Sequence, residues 1–308
     1  DLHLSLRRQR QMCIRDRSRE DVGRAIKATY RVGIPLVIHA EDSSIIEEAR
    51  RGIKDRKDSL AHPCSRPPEA EVSAVSRAIE AISGEAKVHF AHISTADSIG
   101  LIRRARVEGY RVSAETCPQY LLLTKDIMIE KGPYAKTNPP LRRREDVEAL
   151  WKALVDGTVS VLGSDHAPHT VEEKEAGWSD IWSAPSGVPG VETSLPLLLT
   201  KVNEGAIELS RLIDSMSRNV AKLYGLYPRK GCIGVGSDAD LTIVDLKAEG
   251  RISSDRMYSK AGRCTIYNGW RVKGLPKMTI VRGEVVMLDG EVIGRSGFGR
   301  LVKPRLEG

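Results

Sequence analysis

The stretch VLGSDHAPHT, residues 161–170, places one carboxylate and two imidazoles directly after a short apolar run. Imidazole nitrogens and carboxylate oxygens are ligands that suit a divalent metal such as zinc. A carboxylate beside a metal-activated water can also accept a proton and hand it to a leaving group. Asp165 is therefore a candidate metal ligand and a candidate general acid/base of a hydrolase. The alternative is that it only caps the segment that follows.

Two further histidines occupy the same kind of position. His39 follows the apolar residues of IPLVIHAED, and His92 follows those of AKVHFAHIS. Taken singly, each is more typical of a hydrogen-bonded structural residue than of a metal ligand. Together with Asp165 they supply three potential ligands after three separate strands, and this pattern predicts a metal site made of His39, His92 and Asp165.

The remaining histidines have weaker claims to such a site. His89 is three residues from His92, so in a regular strand it faces the opposite way, and we expect it to be structural. His62 lies in the loop-like stretch AHPCSRPPEAE, and His3 lies in an opening segment unlike the rest of the chain.

Helices and strands alternate along the middle of the chain. Ser18 is a candidate N-cap for the first helix, and Val22, Ile26 and Tyr30 are spaced for one face of it. Such alternation predicts parallel strands joined by crossover helices, with the carboxyl ends of the strands on the face where active sites lie. A barrel and a doubly wound sheet share this property, so the alternation does not separate them. The sequence predicts helices over residues 18–33, 67–84, 95–109 and 143–157, and strands over residues 34–42, 86–94, 110–117 and 158–166.

The character of the sequence changes near residue 228. From Gly231 onward, short β-branched runs such as DLTIVDL and MTIVRGEVVML are punctuated by glycine. This pattern predicts a small β domain. We expect three segments: residues 1–17, which differ from the rest, a (β/α) unit over residues 18–228, and a β domain over residues 229–308.

Composition narrows the class of protein. The 308 residues are 41% hydrophobic and 29% charged, which is typical of a globular chain. The formal charge is +7, but basic residues are interspersed with 41 acidic ones and there are only two Phe, which argues against a nucleic-acid partner. No apolar run approaches the roughly 20 residues of a membrane span. The five cysteines are scattered without a CxxC pair, as is typical of reduced thiols in a cytoplasmic protein: Cys13, Cys64, Cys117, Cys232 and Cys264.

Two loops carry a proline and glycine pattern. They are KTNPPLR, residues 136–142, and SAPSGVPGVE, residues 183–192. Proline restricts the backbone and glycine allows close approach, which suits loops that offer main-chain groups to a small polar ligand. Plain turns have the same composition, so composition alone does not decide between these interpretations.

Taken in order, the motifs resemble those of the cyclic amidohydrolases and, among them, the class I dihydroorotases. The resemblance covers essentially everything from Ser18 to the end. SDHAPH is fairly specific by itself, and the ordered set is highly specific. The matching pieces are VIHAED, SRPPEAE, AHIST, AETCPQYLLLT, KTNPPLR, SDHAPHTVEEK, APSGVPGVET, SRNVAKLYGL and KGCIGVGSDADLTIVD.

The resemblance implies an α/β fold, a (β/α)₈ barrel of the TIM type with a small flanking β-sandwich domain, and one or two zinc ions. By motif, His39 and His92 look like ligands of the second metal. Asp165 looks like a ligand of the first metal and the general acid/base. The residues that look like substrate contacts are Asn138, His169 and the main chain of Ser186 and Gly187.

The reaction that the resemblance implies is the reversible cyclisation of N-carbamoyl-L-aspartate to (S)-dihydroorotate in pyrimidine biosynthesis. In the hydrolytic direction, the metal polarises the ring carbonyl and Asp165 delivers a proton to the departing nitrogen. AETCPQYL also resembles hydantoinases and allantoinases, so an allantoinase or dihydropyrimidinase is an alternative. A non-catalytic partner of aspartate transcarbamoylase is another, and a homo-oligomer is a further expected association.

The start of the sequence departs from the family. The family carries an HxHxR motif, whose histidines bind the first metal and whose arginine holds the substrate carboxylate, and a bridging lysine or aspartate before the position of His39. Residues 1–17, DLHLSLRRQRQMCIRDR, instead resemble translated adapter sequence. We expect them to be an artefact joined near Ser18, although DLH could be a remnant of the metal-binding motif. On this expectation the barrel lacks its first strands, and the chain as written binds zinc poorly and turns over little.

Overall fold

The computed structural model of the chain describes residues 19–304. The predictions for residues 1–17, for His3 and for the N-cap at Ser18 lie outside the described residues. Within them, no helix is both long and apolar enough to cross a membrane.

A four-stranded parallel sheet forms the centre of the first part of the chain. Its strands are β1 (Leu36–Ile38), β2 (Val88–Phe90), β3 (Val112–Thr116) and β4 (Val161–Leu162), and their order in the sheet follows the order in the chain. The register places His89 between Val37 and Ser113, and Thr116 beside Leu162. Because each crossover returns the chain to the neighbouring position, all four strands end on the same side of the sheet.

Helices fill the connections between the strands. The chain enters through α1, passes through three helices before β2, one before β3 and three before β4, and continues in four short helices beyond it. Their bounds are α1 (Arg19–Arg31), α2 (Ser43–Arg51), α3 (Ala61–Cys64), α4 (Pro68–Glu80), α5 (Ala96–Val107), α6 (Pro118–Leu122), α7 (Ile127–Lys131), α8 (Arg144–Asp156), α9 (Val171–Glu175), α10 (Ser194–Asn203), α11 (Leu209–Ile213) and α12 (Asn219–Leu223).

Local sequence explains where the longer helices begin and how they pack. Helix α4 starts at a proline, whose backbone angle suits the first turn, and Ala70, Ala74 and Ala78 form a fully buried stripe along it. Helix α5 begins after Thr95, whose hydroxyl accepts a hydrogen bond from the Ser98 amide. These small and capped positions let both helices lie against the sheet, where Phe90 and Ala114 are completely buried.

The C-terminal part is a four-stranded antiparallel sheet. Its strands are β5 (Leu241–Arg251), β6 (Arg271–Val281), β7 (Glu284–Leu288) and β8 (Glu291–Val292), paired in chain order. Strand β6 packs against α10, since the Lys273 amide donates to the Thr200 hydroxyl at 2.9 Å and the Asn203 side chain donates to the Lys273 carbonyl at 3.2 Å. In the described part of the chain it is a single sheet, so the second layer of the expected sandwich is not seen among residues 19–304.

The predicted helices and strands are all present, but the strands are shorter than predicted. The last of them spans two residues where nine were expected. Part of the reason is local: beyond the ends of β2 and β4, His92 adopts φ of +36° and Asp165 adopts φ of +44°, and a left-handed residue cannot continue a strand. The described residues contain four parallel strands, so closure into an eight-stranded barrel is not seen among them. The boundary near residue 228 falls between α12 and β5 and stays a prediction.

Candidate metal centre and substrate cavity

The structure brings two of the predicted ligands together. The Nδ1 atom of His39 lies 3.0 Å from the Nε2 atom of His92, and the two rings stand edge to face with centroids 4.7 Å apart. His39 comes directly after β1, and His92 comes two residues after β2. Neighbouring parallel strands therefore deliver both imidazoles to one edge of the sheet.

The second nitrogen of His39 is held by a buried ion pair. Its Nε2 atom lies 2.8 Å from the Glu41 carboxylate, and Arg66 donates to both oxygens of that carboxylate. Burial by itself would raise the pKa of Glu41, but the hydrogen bond from His39 and the charge of Arg66 outweigh it and hold the pKa below its usual range. Burial lowers the pKa of His39, which favours a neutral imidazole.

This arrangement fits part of a metal site. Two zinc–nitrogen bonds of about 2.0 Å at tetrahedral angles place the nitrogens roughly 3.3 Å apart, close to the separation of the His39 and His92 nitrogens. The Nδ1 atom of His92 is buried and has no hydrogen-bond partner, so the hydrogen bonding of this ring is incomplete in the protein alone. Within residues 19–304, no group of three His, Cys, Asp or Glu side chains stands ready to hold a metal. The three-ligand site with Asp165 stays a prediction.

Asp165 sits in a strained backbone close to the two histidines. Burial raises the pKa of its carboxyl group, and the nearby His92 and His39 only partly oppose that rise. Its positive φ and that of His92 are unusual for residues with a side chain, and such strain concentrates at functional sites. A carboxyl group with a raised pKa is suited to exchanging a proton with a bound ligand.

Buried His89 and half-buried Glu115 form a pair next to these groups. The His89 ring lies 2.7 Å from the Ser113 hydroxyl and 3.2 Å from the Glu115 carboxylate, and His89 is fully buried. Its hydrogen-bonded burial agrees with the structural role expected of it. Gly163 lets Glu115 approach, because a Cβ atom there would lie 2.9 Å from the carboxylate.

The SDHAPH loop (residues 164–169) and the APSG loop (residues 184–187) are hydrogen-bonded to each other. The Ala167 amide donates to the Val188 carbonyl at 3.1 Å, and the His169 Nε2 atom lies 3.2 Å from the Ser186 carbonyl. Gly187 has φ of +143°, and a Cβ atom there would lie 2.5 Å from the Ala167 carbonyl oxygen. Three of the predicted substrate contacts, His169, Ser186 and Gly187, therefore belong to one loop junction that only glycine at position 187 permits.

Two buried lysines tie the same loops to the TNPP loop (residues 137–140) and to the segment just before it. Lys174 is fully buried and donates to the carbonyl oxygens of Pro133 and Pro185, at 3.1 and 3.0 Å. Lys136 donates to the carbonyl oxygens of Ile181 and Ala184. Burial lowers the pKa of Lys174 to about 7 and that of Lys136 to about 8. Sequence reasoning missed both, because a lysine that serves main-chain carbonyls has no spacing signature.

A cavity of about 160 Å³ lies between these loops and α2. Asn138 and Ser186, both predicted substrate contacts, line it, and the side-chain oxygen of Asn138 is buried without a hydrogen-bond partner. Opposite them the Arg50 guanidinium lies over the Trp182 ring, 4.7 Å from its centroid. The other lining residues are Ile46, His62, Ser65, Arg66 and Lys136.

His62 has a structural function in this cavity wall. Its Nε2 atom lies 2.9 Å from the Thr137 carbonyl, and burial lowers its pKa to about 3. A neutral His62 therefore donates to the TNPP loop and holds it in place. From the sequence, His62 was only a weak candidate metal ligand in a loop-like stretch. In the structure it makes this contact, which joins residues 75 positions apart.

A family model described as the amidohydrolase family matches residues 18–286 of the sequence. The match spans well over half of the chain. The chain belongs to the amidohydrolase family.

Individual relatives act on different cyclic amides. The chain is 42% identical over 278 residues to an L-hydantoinase of Paenarthrobacter aurescens, covering 89% of this chain and 60% of that protein. It is 45% identical over 267 residues to a dihydroorotase of Pyrococcus furiosus, covering 86% of this chain and 58% of that protein. Among solved structures, it is similar to the L-hydantoinase (dihydropyrimidinase) from Arthrobacter aurescens, with a TM-score of 0.88 and 37% identity, over 94% of this chain and 67% of that one.

The chain therefore spans about 60% of the length of the curated relatives it matches. The family match over residues 18–286 includes the four strands of the parallel sheet and strands β5 and β6 of the antiparallel sheet. These comparisons support the expected relation to cyclic amidohydrolases. The relatives include both dihydroorotases and hydantoinases at comparable identity.

Proposed function

We propose that this chain comes from a metal-dependent cyclic amidohydrolase, and specifically from a zinc-dependent dihydroorotase. The substrate pair would be (S)-dihydroorotate and N-carbamoyl-L-aspartate, which are interconverted in pyrimidine biosynthesis. Membership of the amidohydrolase family and the convergence of His39 and His92 support the hydrolytic chemistry.

The charge of the cavity beside Asn138 and Ser186 favours a dihydroorotase. Arg66 is neutralised by Glu41, and the Lys136 ammonium donates to carbonyl oxygens, while the Arg50 guanidinium lies over the Trp182 ring without an ion pair to any described residue. The cavity is therefore electropositive, and a small anion is attracted to it. Dihydroorotate carries a carboxylate on its ring, whereas hydantoin and dihydrouracil carry none.

We assign the metal-binding and proton-transfer roles to three residues. His39, His92 and Asp165 would hold the metal, which polarises the ring carbonyl when it is bound. Asp165 would take a proton from the water whose oxygen bonds to the ring carbonyl carbon, and would pass that proton to the ring nitrogen as the carbon–nitrogen bond breaks.

The loops would orient the ring. The unpartnered oxygen of Asn138 can accept a hydrogen bond from a ring N–H. His169 and the main chain of Ser186 and Gly187 complete the proposed substrate contacts from the loop junction described above. A ring held at these contacts would lie beside the electropositive cavity.

A hydantoinase or dihydropyrimidinase is the second candidate, because an L-hydantoinase is 42% identical to this chain. The two are separated by assaying the purified zinc-loaded protein, expressed at the full length of its gene, with dihydroorotate, hydantoin, dihydrouracil and allantoin. Preference for dihydroorotate supports the proposal. Preference for an uncharged ring, with no competition by dihydroorotate, contradicts it.

The expected associations stay predictions. They are a homo-oligomer or a complex with aspartate transcarbamoylase, and the latter could accompany a non-catalytic role. Size-exclusion chromatography with light scattering tests the first, and co-purification with purified aspartate transcarbamoylase tests the second.

A further inference from the structure

Glu41 lies between one imidazole of the candidate metal centre and one buried arginine. Its Oε1 atom accepts from the Arg66 Nε at 3.0 Å, and its Oε2 atom accepts from the Arg66 Nη2 and faces the His39 Nε2 at 2.8 Å. Glu41 is completely buried and Arg66 is 5% exposed. Both carboxylate oxygens are therefore occupied by this one set of contacts.

The chemistry of the three groups determines where the protons are. A guanidinium only donates, so both oxygens of Glu41 must accept, and the carboxylate is in its acceptor-only form. The His39 Nε2 facing it must then carry a hydrogen. In a neutral imidazole this leaves the lone pair on Nδ1, the atom that faces His92 at 3.0 Å.

The network extends to the segment that carries His92. Arg142 donates to the Arg66 carbonyl at 2.6 Å and to the Ser94 hydroxyl at 3.0 Å. Ser94 follows His92 by two residues. The support of His39 and the main chain that carries His92 are thus connected through Arg142.

We propose that Arg66 and Glu41 are positioning residues that hold His39 in the tautomer with hydrogen on Nε2, so that its Nδ1 lone pair is directed at a cation shared with His92. This inference rests on the proposed metal centre. No motif assigned a role to Arg66, which is 25 residues from Glu41 in the sequence.

The test uses Glu41→Gln, because glutamine has one oxygen and one NH₂ group. Arg66 only donates, so the glutamine oxygen turns to Arg66 and its NH₂ donates to the His39 Nε2. The tautomer then reverses, and Nδ1 carries the hydrogen. In the double variant Glu41→Gln/Arg66→Met, the glutamine oxygen can turn back to His39, and the original tautomer returns.

The tautomer is read from ring nitrogen chemical shifts in protein labelled with ¹⁵N-histidine, with His39→Gln used to assign the resonances. Asp42→Asn is the matched control, since it makes the same change one residue away on a carboxylate that contacts Ser44 and Ser73. Zn²⁺ affinity is measured in parallel by competition with a chelator. We expect Glu41→Gln to weaken Zn²⁺ binding 10- to 100-fold, as is usual for the loss of a partner behind a ligand.

The inference is overturned if Glu41→Gln leaves the hydrogen on Nε2, or if Asp42→Asn reverses the tautomer equally. Should Glu41→Gln not fold, Glu41→Gln/Arg66→Met is compared with Glu41→Leu/Arg66→Met, where apolar side chains replace the pair. In the leucine variant Nε2 has no acceptor, so we expect hydrogen on Nδ1, and identical tautomers in the two double variants overturn the inference. These readings need no turnover, so failure to hydrolyse any cyclic amide counts against the proposed function alone.

Discussion

Replacing Gly187 with alanine tests whether the junction of the SDHAPH and APSG loops is built as described. The new Cβ atom would lie 2.5 Å from the Ala167 carbonyl oxygen, 2.6 Å from the Ala167 Cβ and 3.2 Å from the His169 Nε2, on a residue with φ of +143°. A side chain in this sparsely populated backbone region costs about 1–3 kcal/mol, and forcing a methyl group into a packed site costs about 1–3 kcal/mol. The smaller entropy of the unfolded alanine chain returns about 0.4–1 kcal/mol.

We therefore expect Gly187→Ala to lower the free energy of unfolding by about 2–4 kcal/mol. For a chain of this size, about 2 °C of Tm is lost for each kcal/mol, so Tm should fall by roughly 4–8 °C. The assay is urea and thermal unfolding followed by far-UV circular dichroism.

Gly84→Ala is the matched control. Gly84 also has positive φ, +64°, but a Cβ atom there would meet nothing within 4 Å. Its cost should be the backbone strain alone, about 1 kcal/mol. If Gly187→Ala and Gly84→Ala have the same effect within about 0.5 kcal/mol, which is the range of ordinary surface changes, the proposed packing at Ala167 is refuted.

Three further changes test the site. Asp165→Asn should keep the fold and lower kcat by about 10²–10⁴-fold, because the amide cannot transfer the proton. Circular dichroism checks the fold and an activity assay checks kcat. Near-normal turnover would show that Asp165 takes no part in the reaction. Arg50→Met should raise KM for dihydroorotate about tenfold, with little change in kcat or in the kinetics with uncharged rings. Arg51→Met, on the same helix, is the control. An equal effect of the two variants would argue against a substrate carboxylate beside Arg50. Burial lowers the pKa of Lys174 from its ordinary 10.5 to about 7 in the folded protein. Between these two pH values the unfolded chain binds more protons than the folded protein. The free energy of unfolding should therefore rise with pH, by up to about 1.4 kcal/mol per pH unit. Lys174→Met should flatten that slope in urea titrations at pH 7, 8 and 9, and parallel slopes would show that Lys174 titrates normally.

Local patterns in the sequence determined the order and type of the secondary structure. The 3.6-residue spacing around Val22 and Ile26 and the short apolar runs before His39 and His92 report burial of neighbouring residues, which is a local property. The expectation that polar groups gather after the strands follows from the parallel arrangement alone. His39 and His92 do lie together, with ring nitrogens 3.0 Å apart, and their role as metal ligands stays a prediction.

Strand length escaped prediction for a conformational reason. The left-handed backbone of His92 and Asp165 prevents β2 and β4 from extending to the predicted ends, and a residue type does not reveal its φ. Glycine is the exception in part, since for Gly187 in a proline-rich loop close approach was one of two interpretations, and the structure shows it.

Only the tertiary structure decided which charged groups serve the site. Arg66 reaches Glu41 across 25 residues, Arg50 in α2 lies over Trp182, and Lys174 reaches the carbonyl of Pro133 across 41 residues. Periodicity and spacing describe neighbours along the chain, whereas these contacts exist because helices and loops from distant segments close over the same strand ends. Burial there removes water from a charge, and each buried charge must then be met by whichever distant group the fold places beside it.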